Sequence, residues 1–224
     1  MHVPVEQTES RAAGPPPILG YRLILPDDWE QIPLRHGTED AVRRILDESF
    51  RHIPAGSPPD KVNVFKRELE RRFRTAVARV QDSNALDLYL PVRSTSDVNL
   101  GASIIVSETL LPRARGQAWP RSEPTDVALH LLSQDGVENA DLSSGEIDGA
   151  LAVRREHIAE ADSKKGADLP SRRVDYIVSV PEDPNRWFVA AFSTVGGSHP
   201  RDELADALVE WFDAVMATLR WRRE

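Results

Sequence analysis

The chain has 224 residues, of which 40% are hydrophobic and 29% charged, and its 28 basic and 36 acidic residues give a formal net charge of −8. This composition predicts one folded domain and excludes a wholly disordered chain. The absence of cysteine excludes disulfides, thiolate metal sites and thiol nucleophiles, and the acidic balance disfavours binding to nucleic acid or anionic lipid without a local basic patch.

The N-terminal segment, residues 1–19, is polar and ends in a Pro-rich run from Gly14 to Pro17. Such a run predicts a flexible or extended arm ahead of a single domain over residues 20–224. Residues 1–11 lack the apolar core of a signal peptide, and no apolar run is long enough to cross a bilayer. We therefore expect a cytoplasmic protein that does not bind membranes.

The first elements of the domain are a short strand and two helices. A strand is predicted at 21–25, before a turn that brings Trp29 back onto the core. Apolar residues then recur at helical spacing over 38–53 and 60–81, which predicts an αα-hairpin over residues 38–81. The predicted buried stripe of its second helix includes Phe65 and Phe73.

Beyond residue 84 the apolar period changes from helical to two. The alternation predicts strands at 86–92, 147–157 and 174–180, and apolar runs predict strands at 102–107 and 186–194. A strand at 137–142 is predicted to form a β-hairpin with that at 147–157, and a short helix is predicted at 125–133. The turn of this hairpin is expected at Ser143–Gly145.

A long amphipathic helix is predicted at 200–220, and it should lie across the sheet. Its apolar stripe consists of Leu204, Leu208, Phe212, Val215 and Leu219. The predicted class is α+β: an antiparallel sheet of about six or seven strands covered by helices, with the N-terminal αα-hairpin as an insertion and a long C-terminal helix.

Two segments resemble the Mog1/PsbP-like fold. The run YRLILPDDW at 21–29 is similar to the first strand and Pro-turn-Trp of that fold, and the run WFVAAFST at 187–194, with the helix closing on TLRW, is similar to its final strand and helix. The resemblance implies that the helical pair is an insertion and that the protein is a non-enzymatic adaptor or assembly factor.

Two phrases also resemble uncharacterised actinobacterial proteins associated with type VII (ESX/WXG100) secretion gene neighbourhoods. These phrases are PLRHGTEDAVRRILDESF and WFDAVMATLRW. This second resemblance implies a link to type VII secretion.

A Gly-rich junction, Gly196-Gly197-Ser198, precedes the last helix and is a candidate ligand site, because backbone amides at a helix N-terminus favour anions. It lacks the spacing of a phosphate loop or a dinucleotide motif. The six histidines lack metal-site spacing, and no serine has the setting of a nucleophile. We therefore predict no catalytic residues and no cofactor.

Three aspartates, Asp87, Asp148 and Asp175, fall on the polar phase of predicted strands. If those strands were neighbours, the three carboxylates would share one face and could bind a divalent cation. The alternative interpretation is that the three aspartates lie on a solvated face, in which case the protein has no metal site.

The helix at 60–81 carries an unusual local charge. Between residues 61 and 79 there are seven basic and two acidic residues, a net charge of +5 in a chain of −8. We predict that this helix binds an acidic protein partner through Lys66, Arg67, Arg71, Arg72, Arg74 and Arg79. Base stacking is not expected, because Phe65 and Phe73 are assigned to the buried stripe.

The leading hypothesis is a non-enzymatic adaptor or accessory protein that binds a protein partner and is linked to type VII secretion. One alternative is a sensor domain that binds a small ligand or a divalent metal, and a second is nucleic-acid binding through the helix at 60–81. The sequence leaves open whether the partner binds the basic helix or a sheet face, and whether the chain forms homo-oligomers.

Overall fold

A computed structural model of the chain describes residues 16–51, 53–54, 58–92, 101–110, 124–133, 140–162 and 167–224. The helices are α1 (Thr38–Arg51), α2 (Pro59–Gln81), α3 (Pro124–Ser133) and α4 (Glu203–Ala217). The strands are β1 (Ile18–Arg22), β2 (Trp29–Pro33), β3 (Ala85–Pro91), β4 (Ala102–Leu110), β5 (Asp141–Ile147), β6 (Ala150–Ala159), β7 (Ser171–Val180), β8 (Asp183–Thr194) and β9 (Arg220–Arg223).

The main sheet has seven strands in the order β2-β3-β4-β8-β7-β6-β5, and every neighbouring pair is antiparallel. β1 and β9 form a separate antiparallel ribbon. The predicted α+β class, the antiparallel sheet and the C-terminal helix are confirmed.

One face of the sheet is covered by α4. Phe212 of this helix is fully buried and stacks on Phe192 of β8, with ring centroids 4.9 Å apart. The β1–β9 ribbon packs on the same face, because Tyr21 and Trp221 both make edge-on ring contacts with Phe188. The two ends of the chain's described part thus meet over the centre of the sheet.

The opposite face carries two smaller apolar clusters. In the first, α1 and α2 pack over β2, β3 and β4, and its buried members include Ile32, Val42, Leu46, Val77 and Leu88. In the second, Ala128 of α3 packs against Val153, Ile177 and Trp187. The sheet is therefore the middle layer between α4 with the ribbon and the other three helices.

The C-terminal end differs from its prediction. The helix expected to reach residue 220 ends at Ala217, and the last residues form β9. Buried Leu219 and the ring contact of Trp221 with Phe188 draw the chain back onto the core, where it pairs with β1. Arg220 donates hydrogen bonds to the carbonyls of Ala217 and Leu219, as expected for a cation at the negative end of a helix.

The hairpin turn between β5 and β6 lies at Asp148-Gly149, and the prediction of a turn at Ser143–Gly145 is wrong. Asp148 and Gly149 have φ of 49° and 75°, the left-handed pair that a type I′ turn requires. The expected strand at 137–142 falls partly on residues 134–139, which lie outside the described residues.

The start of the domain also differs in detail. The strand expected at 21–25 is β1, which begins earlier, with Ile18 buried. Residues 1–15 of the predicted arm lie outside the described residues. β2 was not predicted, although Trp29 at its start is buried as expected. No helix in the described ranges is long and apolar enough to cross a membrane.

Candidate functional site

The most exposed apolar side chains of the helical layer lie on α2. This helix has 23 residues, and Val77 is the one described residue of it that is buried. Val64 and Phe65, in its N-terminal half, are 62% and 55% exposed. The prediction that Phe65 is buried is therefore wrong: Leu69, Phe73 and Val80, further along, are the α2 side chains that pack beside Val77 against the sheet.

An apolar groove of about 620 Å³ opens beside Leu69 and Phe73 of α2. It lies between α1, α2 and the ends of β3 and β4. Its apolar lining includes Ile45, Leu46, Leu69, Phe73, Leu90 and Val92. We call this cavity the α2 groove.

Three of the predicted binding cations are engaged in ion pairs. Arg71 and Arg72 both donate to Glu68, at 2.8 and 2.6 Å. These hydrogen bonds lower the pKa of Glu68 to about 2, and the bond from Arg71 contributes most. Arg74 donates to Glu70 at 3.0 Å and also to Glu39 of α1. The local positive charge is therefore partly neutralised in the second half of α2.

The remaining cations make no ion pair within the described part of the chain, and they include Lys61, Lys66, Arg67 and Arg79. Lys66 places its Nζ 4.9 Å from the centre of the Phe50 ring, and Arg67 donates to the backbone carbonyl of Asn63. Lys61, Lys66 and Arg67 flank Val64 and Phe65 in the sequence, so unpaired positive charge and exposed apolar surface adjoin one another.

A second groove, of about 780 Å³, separates the β1–β9 ribbon from the sheet and is here called the ribbon groove. Asp87, which is 9% exposed, lies in it. Its carboxylate accepts hydrogen bonds from the Tyr21 hydroxyl at 2.5 Å and from Gln31 Nε2 at 2.7 Å. The hydroxyls of Tyr21 and Tyr89 are 3.0 Å apart.

Burial keeps both tyrosines of the ribbon groove protonated. It raises the pKa of Tyr89 to about 12 and that of Tyr21 further above its ordinary value, with the neighbouring Tyr89 and Asp87 adding to the shift of Tyr21. The Tyr21 hydroxyl therefore acts as a donor to the carboxylate.

An ion pair connects the ribbon to the sheet at the same groove. Arg186 donates to both carboxylate oxygens of Glu108, at 2.7 and 3.0 Å, and to the backbone carbonyl of Ile18 at 2.9 Å. The hydrogen bond with Glu108 raises the pKa of Arg186. The arginine is thus held in place between a carboxylate and β1.

The predicted ligand loop, Gly196–Ser198, is organised around the carboxylate of Asp202. The side chain accepts hydrogen bonds from the backbone N–H groups of Gly197, Ser198, His199 and Ala205, at 2.9, 2.9, 3.2 and 2.8 Å. These hydrogen bonds lower the pKa of Asp202 to about 2, and the bond from Ala205 contributes most. The amides expected to bind a ligand anion already hold the cap of α4.

The three aspartates predicted as an alternative metal site are not brought together. Asp87 lies on β3 in the ribbon groove, whereas Asp175 lies on β7, facing the other side of the sheet, and accepts two hydrogen bonds from Arg155. Asp148 lies in the β5–β6 turn and accepts from the backbone N–H of Trp221. In the described ranges no group of three or more His, Cys, Asp or Glu side chains could hold a metal ion.

Comparison with known proteins leaves the family open. No protein-family model matches the chain, and no curated protein matches it. The chain is similar to the solved structure of LpqN, described as involved in cell envelope biogenesis of Mycobacterium tuberculosis, with 12% identity, a TM-score of 0.41, and coverage of 90% of this chain and 82% of LpqN.

It is also similar to PA94, a protein of unknown function from Pseudomonas aeruginosa. The identity is 18% and the TM-score 0.36, with coverage of 62% of this chain and 92% of PA94. The resemblance to the Mog1/PsbP-like fold stays a prediction.

Proposed function

We propose that this protein is a non-enzymatic adaptor that binds an acidic protein partner through the N-terminal half of α2. The observation that carries the proposal is the exposure of Val64 and Phe65 beside cations that have no ion pair among the described residues. A single exposed apolar side chain is ordinary on a protein surface. Two adjacent ones, on a helix whose next turns line an apolar groove through Leu69 and Phe73, form a surface suited to association.

The shape of the surface favours a helical or extended segment as the bound element. The α2 groove is lined mainly by apolar side chains. A groove of this kind accepts the apolar face of an amphipathic segment, as in helix-in-groove recognition. The partner segment should therefore combine apolar residues at regular spacing with acidic residues on its flanks.

The positive charge of α2 favours a negatively charged partner. The ion pairs around Glu68 and Glu70 partly neutralise the second half of the helix, whereas Lys61, Lys66 and Arg67 in its N-terminal half make no ion pair among the described residues. A local patch of this kind in an acidic chain attracts acidic surfaces and speeds their association. Binding should weaken as salt concentration rises.

We propose that the partner is a component of type VII secretion. The phrases that resemble actinobacterial proteins of those gene neighbourhoods include PLRHGTEDAVRRILDESF, which covers α1. Acidic components of that system are therefore the first candidates, and a cytoplasmic location is part of the same proposal.

The test compares three baits in cross-linking capture from a native lysate: the parent, Val64→Ser/Phe65→Ser, and the control Leu169→Ser. Leu169, in the loop before β7 and outside the lining of the α2 groove, is 62% exposed and is thus matched to Val64 in exposure. We expect a partner that cross-links to α2 in the parent and the control and is lost in the double variant. Equal capture by all three baits would contradict the proposal.

Nucleic-acid binding through α2 is the alternative outcome, since Phe65 is exposed rather than buried. Fluorescence anisotropy with single-stranded DNA measures it directly. Tight binding that falls steeply with salt and is lost in Lys66→Ala/Arg67→Ala would replace the protein partner by a nucleic acid.

Ligand binding in the ribbon groove is a second candidate function, favoured by the buried Asp87 carboxylate. Its two hydrogen-bond donors in the described residues, Tyr21 and Gln31, are neutral. Thermal shift with divalent cations and organic amines tests this candidate, because a ligand at 100 times its Kd stabilises by about 2.7 kcal/mol. A shift that disappears in Asp87→Asn would support it, and flat melting curves would remove it.

A further inference from the structure

β5 is an edge strand that buries almost nothing. Its first six residues, Asp141–Glu146, are exposed, and only Ile147 is half-buried. In the part of the chain that the structure describes, β5 pairs with β6 alone. An exposed edge of this kind presents backbone donors and acceptors that can pair with another chain.

The turn geometry determines which backbone groups point outward. The two-residue turn makes Ile147 and Ala150 a hydrogen-bonded pair, and such pairs alternate along an antiparallel ladder. Ser143 and Gly145 therefore direct their N–H and C=O groups toward β6. Leu142, Ser144 and Glu146 direct theirs away from the sheet.

We infer that β5 pairs with β5 of a second copy of this chain, antiparallel about a two-fold axis at Ser144. Ser144 is both the midpoint of the strand and a residue whose backbone groups point outward. The register then pairs Leu142 with Glu146 of the second copy and the two Ser144 residues with each other. About six hydrogen bonds form between the chains.

This register uses the whole strand and sets no like charges opposite each other. Asp141 faces Ile147 of the second copy, and Glu146 faces Leu142. Like charges directly opposite would destabilise the pairing. The next registers with the same backbone pattern are shifted by two residues and shorten the overlap.

On the α4 face of β5 there is room for side chains of the second copy. Ser143 and Gly145 are small, a Cβ placed on Gly145 would meet no described atom within 4 Å, and a cavity of about 490 Å³ lies between these residues and α4. At the other edge of the sheet, Pro33 of β2 lacks a backbone N–H, so that edge is the poorer one for pairing. The two sheets would form one continuous antiparallel sheet.

Dimerisation does not depend on the proposed function. α2 contacts β3, near the edge of the sheet opposite to β5. Both α2 surfaces therefore remain free in the dimer, and loss of dimerisation can be separated from loss of partner binding.

Sedimentation equilibrium of the full chain over a concentration series is the test. We expect the mass of a dimer for the parent and of a monomer for Ser144→Pro, which removes an outward N–H and leaves the β5–β6 hydrogen bonds intact. Ser143→Ala, the neighbouring control, should remain dimeric. Circular dichroism checks that each variant is folded.

A charge exchange tests the register without proline. In the Leu142→Glu variant the new carboxylate of each copy faces Glu146 of the other copy. These two like-charge pairs should give a monomer. Adding Glu146→Lys converts both pairs to opposite charges and should restore the dimer. A parent that is monomeric at its highest soluble concentration, variants that all remain dimeric, or a charge exchange that fails to restore the dimer would overturn the inference.

Discussion

At the residue scale, Asp202 connects a loop to a helix through one carboxylate. The Asp202 carboxylate accepts hydrogen bonds from four backbone N–H groups. Asp202→Ala leaves these groups without that acceptor, so we expect a lower Tm at pH 7. Its folded pKa of about 2 lies below the ordinary value of 3.8. The stabilisation is therefore complete above pH 3.8 and disappears as the pH falls through about 2. Melting curves of parent and variant from pH 7 to pH 2 measure the effect.

Glu203→Ala is the matched control, because Glu203 is an acidic residue in the first turn of the same helix and is exposed. Its Tm should stay near that of the parent. If Asp202→Ala lowers the Tm no more than this control does, the carboxylate does not organise the loop.

Tyr21 offers a second prediction, since its hydroxyl joins the ribbon to the Asp87 carboxylate in the sheet. Tyr21→Phe leaves that carboxylate with one donor fewer, and we expect a loss of about 1.5–3 kcal/mol in the free energy of unfolding. Urea denaturation measures the loss. In an Asp87→Asn background the same substitution should have a smaller effect, and an unchanged effect would show that the two groups are not coupled.

These two residues also show what a sequence alone can reveal about a site. Asp202 carried a local signal, because an aspartate just before a helix, after two glycines, is a favoured N-cap. The two donors to Asp87 are 66 and 56 residues away along the chain. No spacing rule joins residues so far apart, so the ribbon groove could not be predicted.

At the scale of elements, α4 should be the main stabiliser of its face of the sheet. Phe212 is fully buried between Phe192 and Tyr176, with ring centroids at 4.9 and 5.8 Å. Phe212→Ala empties this site and should lower the free energy of unfolding by about 3–5 kcal/mol. Chemical denaturation followed by circular dichroism measures the change.

The neighbouring exposed residue Glu210 provides the control, and Glu210→Ala should change the free energy of unfolding by less than about 0.5 kcal/mol. Similar values for the two variants would mean that α4 does not pack on the sheet through Phe212.

Elements with strong periodicity were predictable, and those defined by distant pairing were not. The alternation over β7 and the apolar run over β8 predicted both strands, whereas β2 and β9 are short and depend on partners far away in the chain. The turn at Asp148-Gly149 carried a strong hairpin signal, but the serine-rich run before it competed. The stripe of α2 predicted buried Phe65, because periodicity gives the side of a helix but not how far the sheet extends beneath it.

At the scale of the whole molecule, the two inferred surfaces lie at opposite edges of one sheet. α2 lies over β3 near one edge, and β5 is the other edge. A dimer through β5 would therefore present two α2 surfaces and bind an oligomeric or repeated partner with avidity. The monomeric variant Ser144→Pro should keep its affinity for a single partner segment and lose only the gain from two-site binding.

The shared sheet also predicts how the molecule unfolds. The cores on its two faces are separate clusters, one containing Ile45 and the other Phe212, but both rest on the same strands. Ile45→Val and Phe212→Leu should each lower the free energy of unfolding by about 1 kcal/mol. Because the two sites do not share contacts, the double variant should lose the sum to within about 0.5 kcal/mol. Circular dichroism and tryptophan fluorescence should report a single coincident transition, and two separate transitions would mean that the helical pair unfolds independently of the sheet.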